Sequence, residues 1–144
     1  MTVELRTEAF EPWRELADAP DGGLEAGAYG ATCAFAGTMR DFNEGDAVSR
    51  MVLEYYPGMT ERQLEAIIDA ERTAHDLLAA RVIHRVGPIE PGEPIVLVAV
   101  WSAHRREAFE GGRAIMEALK SRAPFWKHEQ TKSGGRWVEH NTKG

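Results

Sequence analysis

The chain has 144 residues, of which 43% are apolar and 28% charged, and its formal net charge is −6. These values fit one soluble globular domain spanning residues 1–144 that can bury a core. The longest apolar run, Ile95 to Trp101, is too short to span a bilayer, and the only cysteine, Cys33, excludes an internal disulfide and a Cys-rich zinc site. No secretory signal is visible, so a cytoplasmic location is expected.

Charge is distributed unevenly along the chain. Residues 1–26 carry seven acidic and two basic side chains. Residues 101–144 carry nine Lys or Arg against five Glu, together with three of the His residues. This polarity indicates an anionic ligand near the C-terminal third, although charge alone does not identify that ligand.

The first half of the chain predicts short strands followed by a long helix. In chain order, the predicted elements are a strand at 3–6, a helix at 12–18, a buried strand at 31–37, a polar loop at 38–46 and an alternating strand at 47–56. Thr60 and Gln63 then have the spacing of a capping box. They are expected to open a helix whose apolar residues recur as far as Leu78.

The second half predicts two strands, a second long helix and a hairpin. The elements are a strand at 81–87, a turn-rich segment at 88–94, a central strand at 94–103, a helix at 104–122 and hairpin strands at 125–129 and 136–140. The helix has an apolar stripe of Ala108, Phe109, Gly112, Ile115, Met116 and Leu119. The predicted fold is therefore α+β, with two long helices on a mainly antiparallel sheet and a C-terminal β-hairpin.

The segment KSRAPFWKHE, residues 120–129, gathers cations around Phe125 and Trp126 in an acidic protein. Exposed Lys and Arg beside a buried aromatic ring are ordinary, so a solvated surface explains the pattern. A pocket for an anion, with an apolar floor, explains it as well. The segment alone does not separate these two interpretations.

Potential cations also open the second long helix, at His104, Arg105 and Arg106. The macrodipole makes such a helix end favourable for an anion, so a bound phosphate or carboxylate would offset their repulsion. Arg105 falls about 20° from the centre of the apolar stripe and is expected to point towards the protein body, where its head could instead meet a Glu. Lys120 is about 24 Å along the axis from His104, too far for one phosphate to touch both.

Familiar catalytic sets are missing from the sequence. Cys33 lies in an apolar strand, where a thiol is more often inert core than nucleophile. The five His residues lack metal-ligand spacing, so no metal or cofactor is expected. Arg40 follows a buried strand, where ligand contacts often occur, but surface placement explains it equally. Any reactive group is therefore expected to arrive on a partner.

Four segments resemble a known family: GTMRDFN, LEYYPGMTERQLEAI, VIHRVGPIEPGEPIVLVAVWSAHRREAFE and IMEALKSRAPFWKHE followed by GGRWVE. They resemble the catalytic, large subunit of molybdopterin synthase (MoaE) and match it in order from about residue 30 to residue 139. The resemblance implies an α/β-hammerhead type α+β fold and a homodimer within a heterotetramer. It also implies a small ubiquitin-like subunit whose C-terminal Gly-Gly thiocarboxylate donates two sulfurs to cyclic pyranopterin monophosphate, which yields molybdopterin.

The resemblance also assigns site residues. It implies catalytic roles for Lys120 and Lys127, and it places the substrate-binding segments on Thr38, Met39, Arg40, His104, Arg105, Lys120, Lys127, His128 and Glu129. Phe35 and Arg136 match positions near the pocket. Phe125 and Trp126 are expected to brace the lysine-bearing loop. Family members can carry an Arg after RWVE, where this chain has His140 and Asn141, so no phosphate contact is carried over there.

Two other functions are compatible with parts of the sequence. A single-stranded RNA-binding module would also interleave cations with aromatic residues, although the net charge of −6 argues against it. A non-catalytic scaffold that only binds the ubiquitin-like partner is the second alternative. Retention of both lysines and both arginines argues against the scaffold.

Overall fold

The computed structural model describes residues 2–43, 46–131 and 134–138. The helices are α1 (Pro12–Asp18), α2 (Met59–Ala74) and α3 (Arg105–Arg122), and the strands are β1 (Thr2–Arg6), β2 (Ala31–Thr38), β3 (Phe42–Asn43), β4 (Asp46–Tyr55), β5 (Ala79–Arg85), β6 (Gly87–Ile89), β7 (Pro94–Ser102), β8 (Phe125–Thr131) and β9 (Gly134–Trp137). The predicted α+β class is confirmed. None of the helices in these ranges is long and apolar enough to cross a membrane.

The strands divide between two sheets. The first has the order β1-β5-β7-β2, and the second has the order β3-β4-β8-β9 with β6 also paired to β4. Only the β1–β5 pair is parallel among the strand pairs of the described residues. The mainly antiparallel pairing predicted from the sequence is therefore present in both sheets.

Strand β7 is the centre of the first sheet, as its apolar sequence predicts. It pairs with β2 on one side and β5 on the other. Val96, Val98 and Val100 face the core cluster that includes Leu64 of α2 and Ile115 of α3. Helices α2 and α3 thus cover one face of this sheet and bury its valines.

The opposite face of the first sheet is covered by α1 and the glycine-rich segment after it. Trp101 is fully buried there, and its indole N–H donates to the carbonyl of Pro20 at 2.8 Å. Gly22 has φ 61, and a Cβ at this position would lie 2.6 Å from Trp101 Cε3. The close approach to the tryptophan explains why a glycine lies here.

The start of α2 differs from the sequence prediction. Gly58, with φ 84, caps the helix, and its N–H donates to the Glu61 carboxylate at 2.9 Å. Thr60 lies inside the first turn, where its hydroxyl accepts from the Tyr56 N–H at 3.0 Å. The predicted Thr60–Gln63 capping box is therefore wrong, because the left-handed glycine turns the chain before Thr60. The helix also ends at Ala74, before Asp76 at φ 52.

The buried face of α3 differs from its predicted stripe. The buried residues are Ala108, Gly111, Gly112, Ile115, Ala118 and Leu119. Phe109 is 66% exposed, because the helix packs through its small residues Gly111 and Ala118 instead, with Gly111 against Leu77. Arg105 lies about 75° from the centre of this face and is exposed, so its predicted inward direction is wrong.

The second sheet contains the predicted C-terminal hairpin. Strands β8 and β9 pair antiparallel from His128–Trp137 to Thr131–Gly134, whereas the predicted strand end at residues 139–140 lies outside the described residues. The predicted loop at 38–46 is partly wrong. Thr38 completes β2, and β3 forms a short ladder with β4 that begins at the Phe42–Ala47 pair.

Candidate active site

A cavity of about 870 Å³ opens between the first sheet, α3 and β8. Its size is that of sites that hold small organic ligands. Apolar residues dominate its walls, including Ile95, Val96, Val98, Met116 and Leu119. Lys120 and Lys127 bring cationic groups to these walls, so the cavity can hold a ligand that combines an apolar portion with negative charge.

A tight connection brings the two lysines together. Lys120 lies in the last turn of α3, which ends at Arg122. The C-cap residue Ala123 has an extended backbone (φ −71, ψ 134) and precedes Pro124. Strand β8 begins at once, so Lys127 returns to the same cavity. The Thr60 hydroxyl donates to the Pro124 carbonyl at 3.4 Å and ties the connection to α2.

The environment of Lys127 alters its protonation. Burial lowers the pKa of Lys127 to about 8, and the positive charge of nearby Lys120 acts in the same direction. The negative charge of Glu129 opposes both effects. Near pH 8 the Lys127 amine is therefore present in both forms, which suits a group that accepts or donates protons.

Strand alternation in β8 separates the aromatic residues of KSRAPFWKHE. Phe125 faces inward and stacks on His84 with ring centroids 4.3 Å apart, whereas Trp126 is exposed and packs edge-on against Tyr56 at 5.0 Å. Arg122 is exposed and pairs with Glu71 of α2 at 2.7 Å. Both interpretations of this segment therefore hold in part, because it forms a cavity wall with its inward residues and ordinary surface with the others.

Strand β2 supplies another wall of the cavity. Of the residues that the sequence assigned to the site, Phe35 and Thr38 line this wall. Cys33 lines it as well, although the sequence indicated an inert core position. Burial raises the pKa of the Cys33 thiol, so the thiolate form is disfavoured there, as the apolar strand predicts.

Seven of the assigned residues do not line this cavity, and four of these lie outside the β8–β9 hairpin. Met39 is 6% exposed and belongs to the hydrophobic cluster around Leu53 and Ile89. Arg40 is exposed just after β2. His104, the N-cap of α3, and Arg105 are exposed at the helix end about 24 Å from Lys120. One copy of the chain does not bring these two residues to the lysines.

The remaining assigned residues lie in the β8–β9 hairpin. His128 is on the opposite face of β8 from Lys127 and packs edge-on against Trp137, with centroids 5.0 Å apart. Glu129 is 5% exposed and accepts from Arg136 at 3.4 Å. This ion pair links the two strands, and Glu129 also acts electrostatically on Lys127.

His84 is a cavity residue that the sequence analysis missed. It lies in β5, is 7% exposed and lines the cavity with both lysines. Its Nδ1–H donates to the Arg85 carbonyl at 2.8 Å. The available signal was a single histidine beside Val82 and Ile83 in the segment RVIHRVG. Across the described ranges, no group of three or more His, Cys, Asp or Glu could hold a metal ion.

Sequence comparison identifies the family. A sequence model of the MoaE protein family matches residues 5–122. The chain belongs to the MoaE family. A MoaE relative, the molybdopterin synthase catalytic subunit of Ralstonia nicotianae, is 50% identical over 140 residues, which cover 96% of this chain and 77% of the relative.

Solved structures agree with the MoaE assignment. The molybdopterin biosynthesis MoaE protein from Burkholderia ambifaria MC40-6 is 36% identical and superposes with a TM-score of 0.76, covering 99% of this chain and 92% of that one. Molybdopterin synthase from Staphylococcus aureus superposes with a TM-score of 0.82 at 26% identity, covering 95% and 96% of the two chains. The MoaE architecture thus extends over nearly the whole chain.

Proposed function

We propose that this protein is the catalytic subunit of molybdopterin synthase. It converts cyclic pyranopterin monophosphate to molybdopterin by transfer of two sulfurs from a small ubiquitin-like subunit with a C-terminal Gly-Gly thiocarboxylate. The observation that carries the proposal is the convergence of Lys120 and Lys127 on one largely apolar cavity. Membership of the MoaE family supports it.

The cavity suits the reaction in shape and charge. A Gly-Gly tail has no side chains, so it can lie extended along the apolar walls beside Phe35 and Gly37. The ammonium groups of Lys120 and Lys127 would stabilise the thiocarboxylate and the negative charge that develops during acyl transfer. The neutral form of Lys127 would accept a proton in the same cavity.

The proposed sulfur source agrees with the state of the protein's own thiol. Cys33 lines the cavity, but burial raises its pKa and leaves it a poor nucleophile at neutral pH. The partner's thiocarboxylate supplies the attacking sulfur instead. The chain therefore binds and orients the substrate and the partner's tail and neutralises their negative charge. It needs no nucleophile of its own.

The phosphate of the substrate requires a separate cationic group. Arg40, His104 and Arg105 are the proposed ligands, with the N-terminus of α3 assisting. Because Arg105 and Lys120 lie at opposite ends of α3, we propose that His104 and Arg105 reach the cavity of a second protomer. The proposed assembly is a homodimer that carries one small subunit on each copy, in the cytoplasm.

The alternative functions are less well supported. An RNA-binding surface needs accessible cations beside exposed rings, whereas Lys127 is largely buried and Phe125 faces inward. A non-catalytic scaffold gives no reason for two lysines to share one cavity, where each repels the other's charge. The catalytic proposal explains that arrangement.

Replacement of Lys120 by Ala tests the proposal. Purified protein, cyclic pyranopterin monophosphate and thiocarboxylated small subunit are combined, and molybdopterin is measured. Lys120→Ala is expected to lose nearly all turnover while it stays folded, because the charge that faces the tail is removed. Arg14→Ala, which removes an exposed cation from α1, is the control and should retain wild-type turnover. Near-normal turnover of Lys120→Ala would remove Lys120 from the catalytic residues.

A further inference from the structure

His84 lies in β5 and lines the same cavity as the two lysines, whose charges act on it. It is 7% exposed, lines the cavity and stacks on Phe125 with an interplanar angle of 25°. Phe125 is two residues before Lys127 on the same face of β8. The ring of His84 is therefore fixed in position beside the lysine pair.

The hydrogen bond at Nδ1 determines what the other ring nitrogen can do. Nδ1 lies 2.8 Å from the Arg85 carbonyl, which only accepts, so Nδ1 carries the proton. Nε2 then carries a lone pair. Within the residues that the structure describes, the Nδ1 bond is the only hydrogen bond of this ring. His84 lines the cavity, and Nε2 is not among the fully buried atoms that lack a partner, so a water or a ligand in the cavity can donate to it.

The charge state of His84 supports this tautomer. Burial lowers the pKa of His84 to about 4, and the positive charges of Lys127 and Lys120 act in the same direction. The ring is therefore neutral at physiological pH. It accepts hydrogen bonds at Nε2 and donates none there.

The proposed sulfur transfer requires a water in this cavity. When the thiocarboxylate sulfur replaces an oxygen substituent on a carbon of the substrate, the carbon–oxygen bond breaks and the oxygen leaves with the electron pair and takes up a proton. The acyl carbon of the tail stays joined to the sulfur as a thioester. A water oxygen must then attack the acyl carbon, and the carbon–sulfur bond of the tail breaks. The electron pair leaves with the sulfur, which stays on the pterin as a thiolate, and the tail leaves as a carboxylate.

We infer that His84 is a positioning residue for this water. The inference rests on the proposed function. Nε2 accepts one hydrogen bond from the water, and the neutral amine of Lys127 accepts the other and takes that proton as the oxygen attacks. The second proton is lost to solvent when the new carboxylic acid ionises. The water's remaining lone pair can accept from the Lys120 ammonium, so all of its hydrogen-bonding positions have a role.

Three variants of His84 distinguish the effect of the Nε2 acceptor from the effect of the ring's packing. His84→Phe keeps a ring to stack on Phe125 but removes Nε2, and His84→Asn can keep the donor to the Arg85 carbonyl but also lacks an acceptor at Nε2. His84→Gln places a carbonyl oxygen near the position of Nε2. His75→Asn, at the C-cap of α2 and outside the cavity lining, is the control.

The readout is a single turnover followed by intact-mass spectrometry after an acid quench. With thiocarboxylated small subunit and cyclic pyranopterin monophosphate, His84→Phe and His84→Asn are expected to accumulate the adduct of small subunit and pterin. Release of the free carboxylate should slow about tenfold or more. His84→Gln should recover part of the rate, and His75→Asn should match wild type.

Other outcomes would overturn the inference. Slow turnover without adduct, or a raised KM for the pterin with a normal release rate, would make His84 a structural or pterin-binding residue. Failure of the wild-type protein to transfer any sulfur would instead refute the proposed function, and this inference with it. If the variants do not fold, ¹⁵N NMR of the wild-type protein decides, because an Nε2 that carries a proton at pH 7 cannot accept from water.

Discussion

The two lysines of the cavity differ in their surroundings. Lys127 projects from a strand into a buried position where desolvation disfavours its charge, and Glu129 compensates only in part. Lys120 lies in the last turn of α3, where a cation also complements the helix dipole. We therefore infer that Lys127 transfers protons and that Lys120 stabilises negative charge on the reacting groups.

The rate of sulfur transfer should follow the titration of Lys127. If its neutral amine is the active form, kcat/KM should rise with pH through about 8 and level off above that value. Lys127→Arg should lose most activity and also lose this rise, because guanidinium stays charged. The Arg14→Ala control should keep the wild-type profile. A rate that falls as pH rises through 8 would show that the ammonium form is the active one.

For the helices and strands, periodicity predicted where each element lies better than it predicted which way its side chains point. The bounds of α3 and the central position of β7 followed from apolar spacing and from Pro124. The direction of Arg105 did not follow, because Phe109 was counted as core and glycine gives no hydrophobic signal. The tertiary structure shows which face is buried, for example through the close approach of Leu77 to Gly111.

For the site as well, the sequence predicted some of the residues but not their arrangement in space. The family resemblance assigned Lys120 and Lys127 to the site, but nothing in the sequence showed that the chain returns both to one cavity. His84 escaped notice because a histidine within an apolar strand has no periodic signal of its own. Its proposed role depends on a contact with Phe125, which only the tertiary structure creates, and on a hydrogen bond to the backbone of Arg85.

The neighbouring glycines of α3 test its packing directly. A Cβ at Gly111 would lie 2.6 Å from Leu77 Cδ2, whereas the nearest atom to a Cβ at Gly112 is 3.5 Å away. Both Ala substitutions gain the same helix propensity. Gly111→Ala should therefore be about 1–3 kcal/mol less stable than Gly112→Ala, because only the former overpacks the core. Urea denaturation measures the difference, and equal stabilities would mean that α3 packs differently.

At the scale of the whole molecule, α3 connects two cationic regions that one copy keeps apart. The helix places His104 and Arg105 at one end and Lys120 at the other, about 24 Å away. A cyclic phosphate bound at the first end cannot present its pterin to the second. A two-fold homodimer solves this problem if each copy supplies its helix start to the other copy's cavity.

Mixed dimers test this arrangement. Lys120→Ala and Arg105→Ala should each be nearly inactive alone. After the two variants are denatured, mixed in equal amounts and refolded, half of the dimers contain one site with both wild-type residues, so about a quarter of wild-type activity should return. Each variant refolded with itself is the control. No recovery after mixing, despite confirmed mixed dimers, would place Lys120 and Arg105 in the same copy's site.

In the proposed reaction the sulfur comes from the partner, and the cavity of this protein only organises the transfer. The most direct measurement uses small subunit carrying a ³⁴S-labelled thiocarboxylate, with wild-type protein and with Cys33→Ser compared per folded molecule. We predict that both dithiolene sulfurs of the molybdopterin carry the label, and that Cys33→Ser keeps most of the wild-type rate. Unlabelled sulfur in the product, together with loss of turnover in folded Cys33→Ser, would contradict the account and make Cys33 a resident sulfur carrier.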